Sequence, residues 1–459
     1  MRRLGGERQR RGRARAARVV AVVAGIGLAV LGTLLVRYGI PSDAKAPRGA
    51  GAAGTDVGWG FTHTQFSADR GTDRSVERAE RLLSAHSMPQ NQHIMGWGAR
   101  NPEPSPGHYD FTDLDRRIGL IRRTGGTPVL TLCCSPDWMK GGAAGHTDWG
   151  ALEKAPDPAH YADFAALAGK IARRYPDVRH FVVWNEFKGF FDDRRGRWDY
   201  EGYTRLYNLV HRELKKANEK NLVGGPYLVM DSEGGSGASG SPLKGAWGNI
   251  DRRTLDALVY WDRHKAGADF VVVDGSSYSK DDRHVPGPFA ATRKFADVGR
   301  WIRRETGLPL WWAEWYVEVA DENDDRAGWS ERKRTAAQAV ALIEMTLGGA
   351  DGGFYWNPQN EGSGSGDCPG CLWSGTELGG GGRELPMMRL LSRFSRAFPP
   401  GTRLRDVEVA GGGRSAVRVL ADDRTAMVVN TSGRRSPVTV DGRELALDGY
   451  QVRWLRRAS

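Results

Sequence analysis

Short apolar runs recur along the chain from Asp56 to about Pro399, separated by longer stretches in which apolar and polar residues alternate with helical spacing. The runs are Val57 to Phe61, His93 to Met95, Pro128 to Leu132, Phe181 to Trp184, Leu222 to Gly224, Phe270 to Val273, Leu310 to Trp312 and Gly353 to Trp356. Each is short, rich in β-branched or aromatic residues and bounded by turn residues, as buried parallel strands are. Amphipathic patterns lie between them at Ser75 to His86, Leu114 to Arg123, Ala159 to Arg174, Tyr203 to Lys220, Leu255 to His264, Ala291 to Arg304 and Glu331 to Leu347. Asp113, Asp157 and Ser330 precede three of these and predict helix caps. The eight strands start about 42 residues apart, a spacing that predicts an α/β fold, a (β/α)8 TIM barrel over residues 56–399. An open dinucleotide-binding sheet is disfavoured, because Gly58-Trp59-Gly60 opens no helix and no Gly-x-Gly-x-x-Gly follows it.

After Pro399-Pro400 the period changes to short alternating segments with Gly and Asp turns, which predicts a small antiparallel β module over 400–459. Two Gly/Ser-rich loops, Ser232 to Gly248 and Glu361 to Gly382, follow strands five and eight and so fall on the carboxyl-end face, where a barrel carries its site.

The other end of the chain is different. Val19 to Val36 contains no charged residue, and its eighteen residues are long enough to cross a bilayer core of roughly 30 Å as a helix. Residues 1–18 hold eight Arg against one Glu, which predicts a basic cytoplasmic tail and export of everything that follows. The small-residue site Ala44-Lys45-Ala46 is followed directly by Pro47, so an uncleaved signal anchor is preferred to a cleaved signal peptide, which would give a secreted protein. Residues 37–55, rich in Gly, Ala and Pro, read as a tether. The expectation is a single-pass membrane protein whose globular part faces the outside.

Charge changes meaning in this light. The formal net charge is +11, but the first eighteen residues carry +7 of it and the rest only +4, so a nucleic-acid partner is not expected. Cys368-Pro-Gly-Cys371 fits a short structural disulfide better than a redox motif, and Cys133-Cys134 read as two thiols at a strand end. His at ligand spacing is missing, so no metal and no cofactor are expected. Oligomeric state is not read from the sequence.

The candidate chemistry rests on two carboxylates. Glu186 ends strand four in Val183-Trp184-Asn185-Glu186, and Glu314 ends strand seven in Trp311-Trp312-Ala313-Glu314-Trp315. Burying a charge beside aromatic strands costs several kcal/mol unless it is used or paired. Strands four and seven can converge over the barrel mouth, and two carboxyls about 5 to 5.5 Å apart can cut a glycosidic bond with retention. Fifteen of the sixteen Trp lie between Trp59 and Trp373, many at strand ends, which favours a carbohydrate partner.

With Trp184-Asn185-Glu186 and Glu314 in place, residues 57–459 resemble the retaining glycoside hydrolases of clan GH-A, and most of all family 39, which includes β-xylosidases and α-L-iduronidases. His63-Thr64-Gln65, Ser135-Pro136-Asp137-Trp138 and Ser277-Tyr278-Ser279-Lys280 support the resemblance. It implies Glu186 as acid/base, Glu314 as nucleophile, Asn185 on the sugar 2-hydroxyl, Tyr278 holding Glu314 ionised, and Trp356 as a sugar platform. His63 and Gln65 are further candidates for sugar hydroxyls, Trp97 and Trp138 for the cleft wall, and Lys280 for a substrate carboxylate. The chain departs from the family where strand two ends in Gly96-Trp97-Gly98, in place of the His or other polar ligand often found there, and Asn357 follows Trp356 where uronic-acid-processing members carry an acid. A β-xylosidase-like hydrolase is expected, with a transglycosylase or a silent carbohydrate-binding protein as alternatives. Glu186 is expected to be protonated at rest and Glu314 ionised.

Overall fold

The computed structural model describes residues 57–233, 241–320, 328–356, 358–359 and 368–456. Residues 1–55, where a basic tail, a membrane-spanning segment and a tether are expected, lie outside the described residues, and among the described residues no helix is long and apolar enough to cross a membrane.

Eight parallel strands close into a barrel in sequence order: β1 (Gly58–Thr62), β2 (Pro89–His93), β3 (Thr127–Leu132), β4 (His180–Val183), β5 (Leu222–Val229), β6 (Phe270–Ser276), β7 (Leu310–Tyr316) and β8 (Ala350–Tyr355). The last strand pairs back on the first, with Gly58 opposite Gly352 and Phe61 opposite Tyr355. Eight helices surround it: α1 (Asp73–Ala85), α2 (Thr112–Arg123), α3 (Tyr161–Arg174), α4 (Tyr200–Ala217), α5 (Arg252–His264), α6 (Arg293–Thr306), α7 (Glu331–Leu347) and α8 (Pro386–Ala397). The eighth helix was not anticipated; it starts on Pro386 in its first turn and buries Met387, Met388, Leu390, Leu391 and Phe394 on one face. Of the three expected caps only Ser330 serves, its hydroxyl accepting from the Lys333 amide at 3.3 Å. Asp113 lies inside α2, and Asp157 caps no helix with its side chain.

The barrel interior is a packed layer rather than a pore. Val129, Val182, Leu222, Tyr227, Phe270, Val272, Trp311, Ala313 and Phe354 form it, with Phe270 stacked on Trp311 at 3.6 Å between ring centroids. Gly224 makes room for this stack, since a Cβ there would lie 2.1 Å from the Phe270 ring.

Strand β2 departs most from its expected form. The apolar run placed it at His93 to Met95, but the strand is Pro89–His93, four of whose five residues are Gln, Asn or His and all of which are buried. Two of its amides are fully partnered inside the barrel wall. Gln90 bonds His63 and Thr124 at 2.8 and 3.2 Å, and Asn91 bonds Thr62 and Thr131 at 3.1 and 2.9 Å. The strand therefore ends on His93, and a histidine does stand where the sequence had put Gly96-Trp97-Gly98.

The carboxyl-terminal module is antiparallel and two-layered. One sheet joins β9 (Val409–Ala410), β12 (Ser436–Val440) and β13 (Arg443–Leu447); the other joins β10 (Val417–Ala421), β11 (Thr425–Asn430) and β14 (Val452–Arg456). It has its own core around Val428, Val438 and Leu447 and stacks Trp454 on Phe398 beside the barrel, 6.1 Å between centroids. The four cysteines form two local bridges, Cys133–Cys134 and Cys368–Cys371. The neighbours at the end of β3, expected as thiols, are thus bonded to each other, and among the described residues no cysteine is free.

Candidate active site

At the carboxyl ends of β4, β6 and β7 three carboxyl groups converge. An oxygen from each of Glu186, Asp274 and Glu314 lies within 4.8 Å of the others. Asp274 and Glu314 face each other in register across β6 and β7, just past a bulge at Val273. Glu186 reaches the same point from a sharp turn after β4, where Trp184, Glu186 and Phe187 adopt φ of 70°, 48° and 57°. Left-handed φ at bulky residues costs of order 1 kcal/mol or more each, and such positions cluster where the surrounding packing fixes a side chain for function. Trp97 and Tyr227, also at the barrel mouth, share this conformation.

Each carboxyl has its own surroundings. Glu314 is almost fully buried and accepts the Tyr227 hydroxyl at 2.6 Å on Oε1 and the Tyr316 hydroxyl on Oε2. Burial and the nearby Glu186 charge push its pKa up to about 8, against the pull of the two hydroxyls. Glu186 Oε2 meets the Lys188 ammonium at 2.6 Å, and Lys188 also touches Glu153 at 2.5 Å. Burial favours the neutral form of Glu186, but hydrogen bonding to Asp274 and the Lys188 charge outweigh it and hold its carboxyl below the usual range. The expected order at rest is therefore reversed. Lys188 and Asp274 favour the ionised form of Glu186, and burial favours the protonated form of Glu314.

Around the trio sit His93, Asn185, Trp97 and Trp356. His93 Nε2 lies 3.4 Å from Asn185 Oδ1, and burial lowers its pKa to about 4, so it is neutral. Trp97 packs on His93 at 4.3 Å and meets Trp356 edge-on at 6.1 Å, forming a half-buried aromatic wall. Glu186, Glu314, Asn185, Trp97 and Trp356 thus come together as the sequence grouped them.

Other expected residues do not join them. His63 is buried with both ring nitrogens engaged, Nδ1 on Ser67 at 2.5 Å and Nε2 on Gln90 at 2.8 Å, and it holds β1 to β2 instead of offering a donor to a ligand. Gln65 is exposed in the loop after β1, its carbonyl accepting from Arg117 at 3.2 Å. Tyr278, expected on Glu314, packs edge-on against His284 at 5.8 Å, while Tyr227 and Tyr316 donate to the two Glu314 oxygens. Trp138 gives its N–H to the Glu103 carbonyl at 2.9 Å, and Lys280 pairs loosely with Asp251 at 3.8 Å.

Five site groups are not among the residues the sequence singles out: Asp274, His93, Tyr227, Tyr316 and Lys188. Asp274 directly follows the Val-rich run of β6, the same carboxylate-after-strand signal that marked Glu186 and Glu314. The three carboxyls are also the group among the described residues with oxygens close enough to share a metal ion. A divalent ion there would have to compete with the Lys188 ammonium and two tyrosine hydroxyls for the same oxygens.

No family model and no curated protein sequence matches the chain. Solved structures do match its fold. A family 39 glycoside hydrolase from Bacteroides cellulosilyticus WH2 aligns with a TM-score of 0.54 at 13% identity, covering 87% of this chain and 79% of that one. A monomeric beta-xylosidase from Caulobacter crescentus CB15 aligns with a TM-score of 0.53 at 16% identity, over 82% of this chain and 74% of its own. A glucosidase from Croceicoccus marinus gives a TM-score of 0.51 at 14% identity, over 82% and 75%. At these identities the likeness is one of fold.

Proposed function

We propose that the chain is a retaining glycoside hydrolase related to family 39, acting on an O-glycosidic bond of an external oligo- or polysaccharide and β-xylosidase-like in its preference. The observation that carries this reading is the convergence of Glu186 and Glu314, from β4 and β7, to within 4.8 Å. That separation suits a double displacement, whereas inversion needs about 6.5 to 9.5 Å to admit a water. The three fold relatives, a family 39 glycoside hydrolase, a beta-xylosidase and a glucosidase, support the same class.

In this mechanism the sugar stacks against Trp97 and Trp356, and Asn185 meets its 2-hydroxyl. Positive charge developing at the anomeric carbon favours ionised Glu314. One proton moving from Glu314 to Glu186 then produces the reactive pair without changing the charge of the site. Glu186 protonates the leaving oxygen while the Glu314 carboxylate attacks the anomeric carbon. Loss of the Glu314 charge in the glycosyl ester lets Glu186 act as base toward water.

The location outside the cytoplasm belongs to the same proposal. It is supported by the arginine-rich start, the uncharged stretch Val19 to Val36 and the two disulfides, which suit an oxidising compartment.

The test is a screen of aryl β-xylosides, β-glucosides, α-L-arabinosides and uronides, with the anomer of the first-formed product read by NMR. Retained configuration is expected, with a loss of about 10⁴-fold or more in kcat for Glu314→Ala. Inverted product, or a Glu314→Ala variant as active as the parent, rejects the proposal. Sugar transfer to an added acceptor in the same assay would identify a transglycosylase.

A further inference from the structure

Asp274 has no obvious place in a two-carboxylate reaction, yet it lies at the centre of the site. Its side chain is 1% exposed. It stands in register with Glu314 on the next strand and within 4.8 Å of both glutamates. Among the described residues no Lys, Arg or His forms an ion pair with it, and its Oδ1 has no hydrogen-bond partner. The titratable groups around it come from four elements. Glu186 follows β4, Tyr227 and Asp231 lie on or just after β5, Glu314 and Tyr316 end β7, and Lys294 starts α6. Lys294 is the buried cation on its side, but its ammonium donates to Ser232 Oγ at 3.2 Å. Lys188 is spent on Glu186 and Glu153.

An ionised Asp274 would be a buried charge without a counterion, beside two other carboxyls, at a cost of several kcal/mol. A neutral Asp274 removes that cost and supplies a hydrogen to the Glu186 carboxylate, on the side away from its Lys188 ion pair. We infer that Asp274 is a permanently neutral carboxylic acid whose O–H donates to Glu186, making it a positioning residue that holds the acid/base carboxyl opposite Lys188. The inference rests on the reading of Glu186 as the acid/base.

The electrostatics agree with the geometry. Burial, followed by the Glu186 charge, keeps the Asp274 proton in place well above the ordinary carboxylate range, and the same hydrogen bond depresses Glu186. Clamped between an O–H and an ammonium, the Glu186 carboxylate is stabilised in the form it takes once the leaving oxygen has received its proton. Asp274 thus favours the transition state for bond cleavage while giving up no proton itself.

Infrared spectroscopy of the full chain with ¹³C-carboxyl aspartate tests the protonation state directly. A protonated-carboxyl band at pH 7 that shifts on labelling and is missing from Asp274→Asn is expected; a spectrum without a label-sensitive band overturns the inference. Kinetics test the role. Asp274→Asn keeps an N–H donor toward Glu186 and should hold kcat/KM within about threefold of the parent, whereas Asp274→Ala should lose about 100-fold on alkyl glycosides and far less on nitrophenyl glycosides, whose leaving group needs little protonation. An Asn variant as impaired as the Ala variant, or equal losses on both substrate types, overturns it. A parent chain that hydrolyses nothing would defeat the glycosidase reading alone, since the infrared result still decides whether Asp274 is neutral.

Discussion

Lys188 touches Glu186 at 2.6 Å and Glu153 at 2.5 Å, and this pairing sets how charge is shared across the cleft. With the ammonium in place Glu186 is the ionised member and Glu314 retains its proton to about pH 8. The two glutamates titrate as a pair, so a pH–rate profile reports the pair rather than either residue. Taking away one positive charge makes every proton of the pair harder to lose. Lys188→Met should therefore move both limbs of the kcat/KM profile to higher pH, by about one unit. A bell that stays in place in that variant would mean that Lys188 does not face Glu186 in solution. Lys188 could not be singled out from the sequence alone. A lysine two residues after a glutamate looks like any solvated turn residue, whereas Asp274, directly after the Phe270 to Val273 run, carries the same signal as the two glutamates. Their importance comes from the turn after β4 and the register of β6 on β7, which hydropathy does not encode.

Strand β2 shows the same limit for a whole element. Seven of the eight barrel strands announced themselves by β-branched and aromatic runs, because a strand buried on both faces is ordinarily apolar. Pro89–His93 has no such run and is buried with its Gln90 and Asn91 amides partnered by His63, Thr124, Thr62 and Thr131. Misplacing it by three residues hid His93 from the site and left Trp97 as the apparent strand end. Asn91 is the centre of this ladder, donating to Thr62 and accepting from Thr131. Asn91→Ala would strand two buried hydroxyls and should cost about 2 kcal/mol by urea unfolding, with the site left chemically complete. A loss below about 0.5 kcal/mol would show that the hydroxyls find other partners at no cost. The antiparallel module and the barrel order were legible because their signals are local: short alternating strands in one case and a steady strand period in the other.

For the whole molecule, buried titratable groups of opposite kind make stability depend on pH in a definite way. His63 and His93 have pKa values lowered to about 3 and 4, by burial first. The unfolded chain binds protons at these residues below about pH 6.5 while the folded chain does not, so their contribution is present above that pH and is lost on acidification. Glu314 and Asp274 act in the opposite sense. Burial raises both, so their contribution is complete below the ordinary carboxylate range and is lost as pH rises, through about 8 for Glu314. Between about pH 4.5 and 6.5 two groups of each kind oppose each other, and each contributes a slope of about 1.4 kcal/mol per pH unit. Stability should be nearly level there. Above about pH 6.5 the histidines no longer change protonation between the folded and unfolded states, and the carboxyls act alone, so unfolding midpoints should fall toward pH 8. Glu314→Gln removes one of the two opposing terms. It should unfold at higher denaturant than the parent at pH 8 while losing turnover, with a difference between the two that shrinks as pH approaches 5. A variant whose advantage is the same at both pH values would place the Glu314 pKa in the ordinary range, and with it would fall the assignment of the resting proton to the nucleophile.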